Sequence, residues 1–284
     1  MDTANVIEIQ GLTKRYKGFA LEDLNLTLPG GCVLGLVGEN GAGKSTTIRL
    51  IMDALERDGG TVRVLGMDNK SPEFFKVRED VGVVLDETCL PEFITATQFG
   101  RILADTFRNW DQEAYDGWLE RFKLPAGKKF KEYSRGMTMK LGIAAALSHH
   151  PKLLLLDEAT SGLDPMVREE LLEVFADFAA QDRHAVLLSS HIVSDLEKIC
   201  DYIAFLHRGR LVLCEEKDLL LDRFGLLKCG RDQLDRVPAS AIHGRRMGAY
   251  GVEALVDRDR VPRDLLVERA SLEDIILYLV KEEQ

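Results

Sequence analysis

Short, wholly apolar runs bounded by glycine turns alternate along this chain with stretches whose apolar residues recur every three or four positions. That alternation predicts an α/β fold. Strands are expected at 6–9, 19–28, 32–37, 61–65 (after an Asp58-Gly59-Gly60 turn) and 81–85, with a helix over 45–55. From 95 to about 147 the period becomes helical, with Tyr115, Trp118, Leu119 and Phe122 on one face, which reads as a helical insertion. The runs 153–156 and 185–188 are apolar at every position, as in strands buried on both faces. Between them Asp164 is placed as an N-cap and Pro165 as the first helical residue, with Val167, Leu171, Val174 and Phe178 as the apolar side. Strand, helix, strand implies a parallel sheet. Beyond 218 the chain turns polar and rich in Arg and Asp, with strand-like pieces at 253–256 and 265–267 and a last helix over 271–280; this reads as a small accessory domain.

With 284 residues the chain has room for one large α/β domain plus an appendage, or for two modest domains. A formal charge of −10 argues against a body that coats DNA or RNA, so no nucleic-acid partner is expected. Five cysteines, at positions 32, 89, 200, 214 and 229, are odd in number and contain no C-x-x-C pair, which points to a reducing cytosol rather than a disulfide framework or a zinc site. The first ten residues, with acids at Asp2 and Glu8, are unlike a secretion signal. No apolar run approaches the roughly 20 residues of a membrane helix. If the protein works at a membrane, another chain crosses it.

The run Gly38-Glu39-Asn40-Gly41-Ala42-Gly43-Lys44-Ser45-Thr46 fits G-x-x-x-x-G-K-[ST] and directly follows the apolar run 33–37. Its glycines let successive N–H groups point into one concavity, where they and the following helix's positive end hold phosphate oxygens. Lys44 is then placed to neutralise the β and γ phosphates of a nucleotide triphosphate, and Ser45 to hold Mg²⁺.

Further on, Asp157 and Glu158 close the apolar run 153–156. Alone they would be solvated charges ending a strand. Beside a phosphate loop, the first acid holds the Mg²⁺ shell and the second polarises a water for in-line attack on the γ-phosphate. His191 follows the next buried run through Ser189-Ser190, and a parallel sheet brings it to the same edge as Glu158. The other histidines, 149, 150, 184, 207 and 243, have no such placement. Ser134, in Tyr133-Ser134-Arg135-Gly136-Met137, precedes a helical stretch, and by itself it would be just a helix cap.

The order GENGAGKST, YSRGM, LLLLDE, SGLD (161–164) and His191 resembles the ATP-binding subunits of ABC transporters over residues 1 to about 218. The resemblance implies an α/β P-loop NTPase core of the ABC type, with a mixed sheet, an antiparallel β subdomain and a helical subdomain at about 90–150. To this core, 219–284 adds a small α+β accessory domain. It also implies a head-to-tail homodimer or heterodimer in which ATP on one phosphate loop (Gly38, Asn40, Gly41, Ala42, Gly43, Lys44, Ser45, Thr46) is capped by Ser134 and Gly136 of the other subunit. In that scheme Glu158 is general base, His191 contacts the γ-phosphate, Asp164 lies in the loop joining the two sites, and Tyr16 stacks on adenine; an ordinary half-buried strand tyrosine is the alternative for Tyr16. The implied substrate and ion are ATP and Mg²⁺, and the implied partner is a transmembrane permease. The subunit would be peripheral on the cytoplasmic face of the membrane, without inserting into it, and the YSRGM segment and the tail from Ser271 narrow the system to an exporter. The rival is a soluble ATPase of the same superfamily, of the iron–sulfur assembly type.

Three positions depart from the family pattern. Asp86, followed by Glu87, stands where Gln is usual; a carboxylate there reaches Mg²⁺ directly or through water, but it adds negative charge beside the triphosphate. Arg135 replaces a glycine and is either a cation near the partner's ATP or a solvated side chain. Ala159 replaces a common Pro. Lys128, Lys129, Lys131 and Arg135 make the approach to this segment locally basic.

Overall fold

The computed structural model describes residues 5–86, 90–248 and 251–282, with Lys281 and Glu282 described by backbone alone. Asp2, Glu87 and Cys89, singled out above, lie outside them. Strands β1 (Asn5–Tyr16) and β2 (Phe19–Pro29) form a hairpin. Next come β3 (Val33–Val37), α1 (Lys44–Ile51), β4 (Gly59–Val64) and β5 (Met67–Asp68). The order β2-β1-β4-β5 makes an antiparallel sheet.

Helix α1 stops at Ile51 rather than running to 55, because the side-chain amide of the buried Asn69 donates to the carbonyls of Leu50 (2.7 Å) and Ile51 (3.1 Å) and so takes up the orphan acceptors of a helix end. Gly59 and Gly60 begin β4 rather than forming a turn. Gly60 has φ +82°, and a Cβ there would lie 2.4 Å from the Gly11 backbone, so glycine is needed where the strand bulges past β1.

The chain continues through α2 (Phe74–Arg78), β6 (Val81–Val84), α3 (Ala96–Thr106), α4 (Gln112–Arg121) and α5 (Arg135–Leu147). Then follow β7 (Leu153–Asp157), α6 (Pro165–Ala179), β8 (Ala185–Ser190), α7 (Val193–Ile199), β9 (Tyr202–His207) and β10 (Arg210–Glu216). Among the described residues these form a mixed six-stranded sheet of order β10-β9-β3-β8-β7-β6, parallel except at the β9–β10 pair. The apolar runs are continuous because both faces are covered. Leu153 and Leu155 face the core shared with α1 and the antiparallel sheet, while Leu154 and Leu156 face the core shared with α5 and α6. Asp164 caps α6 as expected, accepting from the N–H groups of Met166 and Val167 at 3.1 Å, with Pro165 at its first position.

The last part holds α8 (Lys217–Arg223), β11 (Phe224–Cys229), the short α9 (Arg231–Leu234), β12 (Ile242–Met247), β13 (Val252–Asp257), β14 (Val267–Arg269) and α10 (Leu272–Glu282). Its antiparallel sheet has the order β12-β13-β11-β14. The piece expected at 265–267 is displaced: pairing of Gly225, Leu226 and Leu227 with Arg269, Glu268 and Val267 sets the strand further along. Strands β11 and β12 were not anticipated. α10 opens on a reciprocal cap, Ser271 with Asp274. Leu272, Ile275 and Tyr278 join the same core cluster as Leu196 of α7 and Ile203 of β9, so this sheet is anchored to the main body through α10.

Candidate nucleotide site

Strands β3, β8, β7 and β6 are neighbours and parallel, so their carboxyl ends share one edge, where open α/β sheets bind ligands. The loop 38–43 leaves β3, Asp157 and Glu158 end β7, His191 follows β8, and Asp86 follows β6.

The loop's glycines are fixed by the surrounding fold as well as by its own turn. A Cβ on Gly38 would lie 2.3 Å from the carbonyl oxygen of Leu206 in β9. Gly41 (φ +84°) and Gly43 (φ +113°) occupy backbone conformations that side chains rarely adopt, and the space beside Gly41 is open. Ala42 is buried, Asn40 is exposed, and Ser45 and Thr46 are half-buried in the first turn of α1. Lys44 lies back over the loop. Its Nζ donates to Gly38 O at 2.7 Å and Glu39 O at 3.3 Å, and lies 3.1 Å from Glu158 Oε1.

Glu158 is the hub. Its other oxygen, Oε2, is 2.7 Å from His191 Nδ1, so Lys44, Glu158 and His191 form one chain of contacts. Glu158 is 8 % exposed and has φ +52°, a strained conformation for a residue with a side chain, of the kind concentrated at functional sites. Asp157 beside it is 2 % exposed and accepts from Ser189 Oγ at 2.6 Å. No ion pair compensates it among the described residues. A buried carboxylate without a cation, at the strand end next to a phosphate loop, suits a divalent ion held by hard oxygen ligands.

Asp86 belongs to a second cluster. Its Oδ1 accepts from Arg135 at 2.8 Å, and the Arg135 guanidinium packs against Gly162, where an added Cβ would lie 3.2 Å from it. Arg135 is 55 % exposed yet not unattached: it ties the start of α5 to the segment after β6 and to the SGLD turn. Ser134 is the exposed N-cap of α5, accepting from Met137 N–H at 3.3 Å, and Gly136 has room for a Cβ. Tyr16, at the β1–β2 turn, is 43 % exposed and stacked at 6.3 Å on Phe19. Of the remaining histidines, His149 stacks on Phe107 and contacts Glu79 O, and burial pulls its pKa down; it lies outside this edge. Sequence reasoning missed Ser189 and Ser190, whose signal is a Ser-Ser pair ending an apolar run just before His191; Ser190 Oγ accepts from Ile192 N–H at 3.0 Å and shapes the turn that carries the histidine.

A phosphate loop after β3, two buried acids at the end of β7 and a histidine after β8, the strand between them, define a P-loop nucleotide triphosphatase. Residues 21–161 match the family model described as ABC transporter. The bacitracin transport ATP-binding protein BcrA of Enterococcus faecalis is 34% identical over 210 residues, 73% of this chain and 68% of that protein. The lantibiotic transport ATP-binding protein SrtF of Streptococcus pyogenes is 32% identical over 216 residues, 75% of this chain and 92% of that one. A solved ATP-binding subunit of an ABC transporter superposes with a TM-score of 0.67 at 28% identity, covering 75% of this chain and 90% of its own. A dimeric cassette bound to ADP and Pi shares the fold, with a TM-score of 0.67 at 23% identity over 74% of this chain and 98% of that one. The chain belongs to the ABC transporter ATP-binding family, and it is an ATP-binding, ATP-hydrolysing subunit of that class. No helix among the described residues is long and apolar enough to cross a membrane.

Proposed function

We propose that this protein closes as a pair around two Mg·ATP, hydrolyses them, and passes the opening and closing motion to a separate membrane permease that exports its cargo. The pair is a homodimer or a heterodimer with a related ATPase subunit. The observation that carries this reading is the Lys44–Glu158–His191 chain beside the buried Asp157. In it the loop 38–46 would cradle the triphosphate, and Ser45 and Asp157, with Asp86 as a further acid, would hold Mg²⁺, which when bound would supply positive charge against the β and γ phosphates. Glu158 takes a proton from the attacking water, and His191 orients Glu158 and contacts the γ-phosphate. Ser134 and Gly136 of the second subunit cap the phosphates, Asp164 links the paired sites, and Tyr16 stacks on the base.

Residues 1–218 act as the ATPase domain and 219–284 as an accessory domain. The permease docks in an apolar groove of about 560 Å³ between the helical insertion and the sheet, lined by Val83, Leu85, Leu90, Phe99 and Phe107. That arrangement sets the subunit on the cytoplasmic face of the membrane. The names of the bacitracin and lantibiotic relatives favour export over a soluble role in iron–sulfur assembly. The deciding experiment is Glu158→Gln: hydrolysis stops while ATP binding persists. Unchanged hydrolysis in that variant overturns the assignment.

A further inference from the structure

Ser189 has no role in the scheme above, yet it contacts both acids. It is completely buried in β8, directly opposite Asp157 in the parallel register. Its Oγ donates to Asp157 Oδ1 at 2.6 Å and accepts from the Glu158 N–H at 3.2 Å, while its carbonyl accepts from the same N–H at 3.1 Å. The direction of each bond is fixed by chemistry: an ionised carboxylate only accepts, an amide N–H only donates, and the hydroxyl has a single proton to give. That proton goes to Asp157, and the hydroxyl's lone pairs face Glu158.

Two consequences follow. Asp157 has one oxygen engaged and its carboxylate plane set, which leaves Oδ2 as the atom for a cation. Glu158 sits at φ +52° on a side-chain-bearing residue, and two acceptors on a neighbouring strand hold its N–H there. Hydrogen bonds of this kind, one step behind a ligand, orient it and tune its affinity.

We propose that Ser189 is a positioning residue that sets Asp157 for Mg²⁺ and Glu158 for water at the same time. The proposal rests on the roles given to those two acids above. Its test is Ser189→Ala against Ser189→Thr, which keeps the hydroxyl, with folding checked by melting temperature. Should the added methyl of threonine prevent folding, Ser189→Cys, with its weak donor, replaces it.

The expected result for Ser189→Ala is a fall in kcat on the order of 10–100-fold, largely restored by the variant that keeps a donor. ATP affinity measured in EDTA stays at the parent value, while the gain in affinity on adding Mg²⁺ shrinks. A parent-like kcat, or an equal loss of ATP affinity with and without Mg²⁺, overturns the proposal. Glu158→Gln assayed in parallel separates the two ideas. If it still hydrolyses ATP, the base assignment fails; if it is inactive while Ser189→Ala matches the parent, only the positioning role fails.

Discussion

Lys44 is shared between the carbonyls of its own loop and the carboxylate of Glu158. A triphosphate in the loop competes for the same ammonium, and it also meets the negative charge of Glu158 at close range. Two opposite substitutions separate these effects. Lys44→Ala removes the cation that balances the phosphates, so ATP affinity is largely lost in a direct binding titration. Glu158→Gln removes a like charge and releases Lys44, so ADP, which needs no hydrolysis step, binds more tightly than to the parent. If Lys44→Ala binds ATP as the parent does, Lys44 does not serve the phosphates. The Arg135–Asp86 pair is of another kind: both side chains are more than two-fifths exposed, so its value lies in tying two segments together rather than in stability.

At the scale of elements, the phosphate loop is held in shape by strands it does not belong to. Gly38 is needed less by the loop's own turn than by β9, since any Cβ would press on the Leu206 carbonyl. Gly38→Ala is therefore expected to destabilise the fold by about 1–3 kcal/mol, the usual range for overpacking, and to weaken ATP binding as β3 and β9 separate. Chemical denaturation checks the first effect and a nucleotide titration the second. A variant as stable as the parent would show that the β3–β9 contact yields easily.

The sequence made this loop legible, along with both acids, His191 and the capped start of α6, because each rests on local chemistry within a few residues. What it hid depends on distant partners. The end of α1 is decided by Asn69, the start of β4 by the Gly11 backbone, and the partner of Arg135 by Asp86, 49 residues away. Strand β12 escaped notice because its last three residues, Arg245, Arg246 and Met247, are exposed on a sheet edge and show no apolar alternation. Ser189 was hidden for a related reason. A serine inside an apolar run looks like a small packing residue until the neighbouring strand sets Asp157 against it.

For the whole molecule the question is what completes the site. Lys44, Glu158 and His191 converge, but the hydroxyl of Ser134 caps its own helix at an exposed surface, and half-buried Gly136 would bring a Cβ into only ordinary contact with Leu163 and Val167. Met166, two residues past Asp164, is 81 % exposed although apolar. The exposed Ser134 and Arg135 at the start of a 13-residue helix, with an uncovered methionine elsewhere on the surface, suit a face that receives the triphosphate held by another subunit. If so, catalysis is second order in protein at low concentration. ATPase activity per chain then falls on dilution, and Glu158→Gln runs as a dimer in gel filtration with Mg·ATP and as a monomer without it. Ser134→Arg in the same background, which sets a bulky side chain against the partner's phosphates, abolishes the dimer while leaving ATP binding to the single chain in place. Activity per chain that stays constant down to extreme dilution would mean that one copy builds a competent site alone, and the paired arrangement would have to be abandoned.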